Sequence, residues 1–267
     1  MNHLRCAAFP LGMCIASAAV AQNVSAAARS ELAPGGKPRV GLNLTNGNAV
    51  TKDPQTGELR GVAVDLSRAL AEEMGVVFEP VPYPSATKMA EAAGGGQWDM
   101  AFMAIDPARA RVIAFTAPYM LVPNTYMVAP GSSIQTIADV DRPGVRIAVD
   151  ERNATDLFLS RSLRHATLVR VAGEPSALGL LRTGDVQVLA TGRGLLLHNA
   201  ANWPGARVLD GWFLAVEHGI GVPAGRDSGL AHLRDFVEQM KRSGRVQQML
   251  DRQGNVGVLV APAAPAK

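Results

Sequence analysis

The chain has 267 residues, 48% hydrophobic and 18% charged, and its 26 basic and 23 acidic side chains leave a formal net charge of +3. That length suits one large domain or two small lobes. The charges are dispersed, with no lysine-rich run, which argues against nucleic acid as a partner. Both cysteines, Cys6 and Cys14, lie near the amino end, so the remainder can hold no disulfide framework, cysteine nucleophile or cysteine metal site.

Met1–Arg5 is short and basic, and Cys6–Ala18 is mostly apolar but too short to span a bilayer. Ala19-Val20-Ala21 follows as an A-x-A cleavage pattern. Residues 1–21 are therefore predicted to be a signal peptide, which places the mature protein outside the cytoplasm without a membrane span. Met13 stands before Cys14 where a lipoprotein wants a small residue. Residues 22–37, rich in Ala, Ser, Gly and Pro, are expected to form a disordered leader.

Arg39–Thr45 alternates as a strand does, and 46–58 is full of turn formers. In 61–74, Leu66, Leu70 and Met74 recur every four residues and predict a helix lying on a sheet, with Asp65 in its first turn and Gly75 as its stop. A strand at 76–82, a helix at 85–93 and a strand at 98–105 continue the rhythm of a parallel α/β sheet. Tyr119–Ala129 reads as a long extended crossing. The pattern repeats with a short helix at 134–141, strands at 145–149, 167–171 and 186–190, and helices at 155–163 and 177–183. A return crossing is expected at 213–222. An amphipathic helix over 228–242 and a short one ending near Arg252 complete the series. Residues 254–267, rich in Ala and Pro, are expected to be a mobile tail.

The predicted fold is α/β: two lobes joined by two crossing hinge strands. Residues 38–122 with 219–253 make the first lobe and 123–218 the second. A cleft between them could close on a small solute.

The most informative stretch is Ile105–Tyr119, I-D-P-A-R-A-R-V-I-A-F-T-A-P-Y. The strand at 98–105, which carries Ala104 as a candidate ligand contact, runs into a short turn that delivers Arg109 over the cleft. This stretch resembles the T-P-x-R…F-S-x-P-Y segment of the bacterial extracellular solute-binding proteins, family 3. Gly61–Met74, Ile137–Asn153 and Phe236–Leu250 are similar to three further segments of that family, in the same order. The resemblance covers about Lys37 to Arg252. It implies a type II periplasmic-binding fold in a monomeric periplasmic receptor that serves an ABC transporter permease in the inner membrane. It also implies that Arg109 holds a ligand carboxylate in a bidentate pair.

Departures from the family's pattern bear on the ligand. Asp106 replaces the usual threonine, and could orient Arg109 or repel an acid. The first loop carries Asn43 and Asn46 without an aromatic clamp. Arg152-Asn153-Ala154 stands where Gly-Ser-Thr is usual. Thr191-Gly192-Arg193 stands where an aspartate often holds an ammonium group. Arg152 and Arg193 either face the cleft, which would then favour a solute with more than one acid group, or run over the surface. Asn153 and Thr191 are the contacts expected from the second lobe.

No zinc-type histidine spacing, nucleophile elbow or P-loop occurs, so no metal, cofactor or catalytic residue is assigned. The expected function is a non-enzymatic receptor for a small polar carboxylate-bearing solute. The alternatives are a dehydratase of the cyclohexadienyl type on the same scaffold, with Asp106 or Glu217 as its acid, and a free-standing sensor subunit.

Overall fold

The computed structural model describes residues 24–151 and 153–265. The segment predicted as a signal peptide lies outside them. In chain order the elements are α1 (Ala26–Leu32), β1 (Arg39–Asn43), β2 (Thr51–Lys52), β3 (Leu59–Arg60), α2 (Val62–Met74), β4 (Glu79–Tyr83), α3 (Ala86–Glu91), β5 (Met100–Ala104), β6 (Ile113–Phe115) and β7 (Met120–Val128). They continue with β8 (Arg146–Asp150), α4 (Ala154–Ser162), β9 (Thr167–Val171), α5 (Glu174–Thr183), β10 (Val188–Gly192), α6 (Arg193–Ala201), β11 (Arg207–Val208), β12 (Leu214–Pro223), α7 (Asp227–Arg242), α8 (Arg245–Arg252) and β13 (Leu259–Val260).

The main sheet runs β4-β1-β5-β12-β7-β10-β8-β9. β4, β1 and β5 are parallel, as are β10, β8 and β9. Between these triads lie the two long strands β12 and β7, antiparallel to each other and to their outer neighbours. This is the two-lobed type II arrangement: two parallel α/β units joined through an antiparallel crossing pair. Val40, Leu42, Leu66, Leu70 and Phe102 share one core with Ile220, Leu233 and Phe236. A separate core gathers Tyr126, Ile147, Val149, Leu159 and Val188.

Helix α2 illustrates how the local sequence builds the frame. Its apolar repeat buries Val62, Leu66, Leu70 and Met74, and Gly75 ends it in the left-handed conformation at φ 63°. Gly61 precedes it at φ 137°, and a Cβ there would lie 2.1 Å from the Ala49 carbonyl oxygen. That carbonyl accepts the Ala63 amide, so the first loop is stitched to the helix entry at a point where only glycine fits.

Both chain ends differ from expectation. The leader holds α1, capped by the Ser25 hydroxyl, with Ala28 and Leu32 buried. Arg29 donates to the Met74 carbonyl and Arg226 to the Glu31 carbonyl, and the Glu31 carboxylate accepts the Gly229 amide. An alanine-rich run has high helix propensity, and its two apolar residues meet α7. The expected mobile tail is also placed. β13 pairs with Met120 and Leu121 of β7, and Val258 and Ala261 are buried. The apolar run Val256–Ala261 covers a strand that would otherwise expose an edge. The loop at 46–58 contains β2, which pairs with β3 beyond it. α6, absent from the predicted elements, begins directly after β10.

Candidate functional site

A cavity of about 380 Å³ opens at the carboxyl ends of the parallel strands of both units. Asn43 ends β1, Ala104 ends β5, and Thr191 and Gly192 end β10. Open α/β sheets bind ligands at such strand ends because the backbone turns there leave a crevice. Val122 and Asn124 of β7 and Val216 and His218 of β12 form the floor.

Arg109 sits in a single 3₁₀ turn, Arg109–Arg111, after β5. The Asp106 carboxylate accepts the amides of Ala108 (2.8 Å) and Arg109 (3.1 Å) and so shapes that turn. Arg109 Nη1 donates to the Ala104 carbonyl at 2.9 Å, which holds the half-buried guanidinium against the strand end, and its other N–H donors bond to none of the described residues. Among the described residues Arg109 is the charged side chain lining this cavity, and no carboxylate lines it.

The opposing wall is polar and neutral. Asn153 caps α4, its side-chain oxygen accepting the Asp156 amide at 2.9 Å. Thr155 donates to Asn124 at 2.9 Å in a buried pair. Ala154 at the start of α4 and Gly192 and Gly194 at the start of α6 also line the cavity, so two helix N-termini face it. α6 has no side-chain cap. Their partial positive charges act in the same sense as Arg109 and favour an anionic group.

His218 is 6% exposed. Burial drives its pKa down to about 4, and nearby Arg109 acts in the same direction against the bond to the Val216 carbonyl. The imidazole is neutral at pH 7, so it adds no charge to the cavity.

Of the residues singled out by sequence, Asn43, Asn46, Ala104, Arg109, Asn153 and Thr191 come together around this cavity. Asp106 does not line it, being committed to the turn before Arg109. Arg193 does not either, because its guanidinium reaches back to the carbonyls of Leu209 (3.0 Å) and Gly211 (3.5 Å). Arg152 lies outside the described residues. Glu217, the other candidate acid, is exposed and outside the lining, one residue out of phase with Val216 and His218 on β12. Sequence reasoning missed Thr45, Asn48, Asn124, Thr155 and His218. For Asn124 and His218 a signal existed: with their neighbours Thr125 and Glu217 they interrupt largely apolar crossing strands.

Residues 39–255 match the family model of the bacterial extracellular solute-binding proteins, family 3. The chain belongs to that family. It is 22% identical over 190 residues to a glutamine-binding protein of Geobacillus stearothermophilus, covering 70% of this chain and 72% of that protein. It is 20% identical over 205 residues to the ABC transporter glutamine-binding protein GlnH of Bacillus subtilis (strain 168), covering 74% of each. Among solved structures it resembles the ancestral amino acid-binding protein AncCDT-1, a precursor of cyclohexadienyl dehydratase. The TM-score is 0.67 at 23% identity, covering 84% of this chain and 97% of that one. At that identity the likeness bears on the fold, and this family 3 chain shares its two-unit architecture. Among the described residues no helix is long and apolar enough to cross a membrane.

Proposed function

We propose that this family 3 chain is a periplasmic, monomeric receptor of an ABC importer, and that it holds one amino-acid-like solute between its two units without transforming it. The observation that carries this reading is Arg109, a preorganised guanidinium in a cavity that is otherwise neutral among the described residues and is joined by two helix N-termini. A planar fork of donors suits a carboxylate, and its charge is fixed at every physiological pH. The cavity volume of about 380 Å³ lies at the small end of ligand pockets. Asn153 and Thr191 face Arg109 from the other unit, so a solute bridging them stabilises the closed form. The glutamine-binding relatives support a neutral polar amino acid as the first candidate. An ABC permease is the partner that follows from the family.

The dehydratase alternative needs an acid in the cavity, and neither Asp106 nor Glu217 lines it. The test is a thermal-shift screen with glutamine, asparagine, serine, threonine, succinate and 2-oxoglutarate. A stabilising compound should be recovered unchanged. Arg109→Ala should weaken its binding by about 3 kcal/mol, more than a hundredfold. Equal binding by folded Arg109→Ala, or turnover of the compound, would overturn the proposal.

A further inference from the structure

His218 is fixed in a way that gives the cavity an acceptor where carboxylates are missing. Its Nδ1 lies 3.3 Å from the Val216 carbonyl oxygen. A carbonyl can only accept, so Nδ1 carries the proton and Nε2 keeps its lone pair. No donor among the described residues bonds to Nε2, and the ring lines the cavity. In the β5–β12 ladder His218 lies directly opposite Ala104, whose carbonyl holds Arg109. Both residues line the cavity, and the guanidinium is near enough to disfavour protonation of the imidazole, so the two are neighbours on one wall.

Three of the side-chain amide oxygens that line the cavity are already engaged. Asn43 accepts from Thr45, Asn124 from Thr155, and Asn153 from the Asp156 amide. Arg193, which follows β10, is turned away toward Leu209, and among the described residues no carboxylate replaces it. A solute whose carboxylate rests on Arg109 therefore brings its adjacent substituent to the imidazole. We propose that Nε2 of His218 accepts a hydrogen bond from an N–H group on the carbon beside the ligand carboxylate, making His218 the specificity residue that selects neutral α-amino acids over their deaminated acids and over dicarboxylates. This rests on the carboxylate anchor argued above. Because burial keeps the ring neutral, it remains an acceptor at pH 7. A second carboxylate would meet that lone pair and be repelled.

The experiment compares L-glutamine, L-asparagine, L-serine and L-threonine, each with its deaminated acid, by titration calorimetry at pH 7. Wild type should bind at least one amino acid roughly tenfold to a hundredfold more tightly than its deaminated acid. In His218→Leu, or in His218→Met should the first variant not fold, that ratio should fall toward one. His218→Gln, which restores an acceptor, should recover part of the preference. A wild-type ratio below threefold overturns the inference, as does a ratio unchanged in a folded variant. If all four amino acids fail to bind, or bind independently of Arg109, the anchor itself fails and the inference falls with it. Arg109-dependent binding with a ratio indifferent to His218 removes only the inference.

Discussion

Single residues decide both the charge of the cavity and its response to acid. His218 is nearly enclosed, so its protonated form is disfavoured in the folded protein and its pKa is about 4, against an ordinary value near 6.5. The sign follows from proton linkage. Above about pH 6.5 the ring is neutral in both states, and the folded state keeps its full advantage. As pH falls toward 4 the unfolded chain takes up a proton that the folded chain refuses, and stability declines. The loss from this residue is on the order of 3 kcal/mol by pH 4. Urea unfolding between pH 7 and 4 should show this slope in the wild type and lose it in a folded His218→Gln variant. A slope unchanged in that variant would assign the acid lability elsewhere. Asp99 carries a different lesson. It is fully buried, accepting from Arg39 at 2.8 Å and from Arg226 at 3.1 Å. Burial raises its pKa, but those arginines outweigh it and hold the carboxyl below the usual range. Arg226 lies 127 positions further along the chain, and no local pattern announces a partner at such a distance.

At the level of elements, apolar periodicity made the frame legible. The helix at 61–74, the strand at 167–171 and the helix at 228–242 fall within a residue of α2, β9 and α7. α2 and α7 each bury one face at helical spacing, and β9 pairs with β8 along its whole length. α1, α6 and the β2–β3 hairpin were not legible, because short elements are chosen by what they dock against more than by propensity. The same holds for the cavity. Arg109 was found because a strand end is marked locally, whereas Thr155 and Asn124 meet across 31 positions. Gly61 joins the two levels. Its positive φ and the Ala49 carbonyl leave no room for a Cβ. Gly61→Ala should cost at least about 2 kcal/mol. It should also loosen the 43–50 loop, lowering the unfolding midpoint and hydrogen-exchange protection of the Ala63 amide. A variant as stable as wild type would show that the loop relaxes freely.

For the molecule as a whole, the closing segment adds a third connection beside the two crossing strands. Asn255 donates to the Asn48 carbonyl at 2.8 Å on the rim of the cavity. The Val256 carbonyl oxygen would stand 2.5 Å from a Cβ at Gly194, the second residue of α6. β13 then pairs with β7, and Lys241 grips the Pro262 carbonyl. This strap touches the first loop, the crossing strand and the start of α6, all of which border the cavity. Ending the chain after Gln253 should remove about 3 kcal/mol of stability through lost burial of Val258 and Ala261. It should also raise the radius of gyration of the unliganded protein in solution scattering, since one tie between the units is gone. Unchanged values for both would mean that the two crossing strands alone set the opening.

The core that packs Leu32, Val40 and Leu66 against Leu233, Phe236 and Val258 draws on both extremes of the sequence. A ribosome releases a chain from one end only. The early strands must therefore wait, with their apolar faces uncovered, until the last helices have been synthesised. Such long-range closure is slow. A newly made molecule of this topology therefore keeps apolar surface exposed until its closing helices have been released.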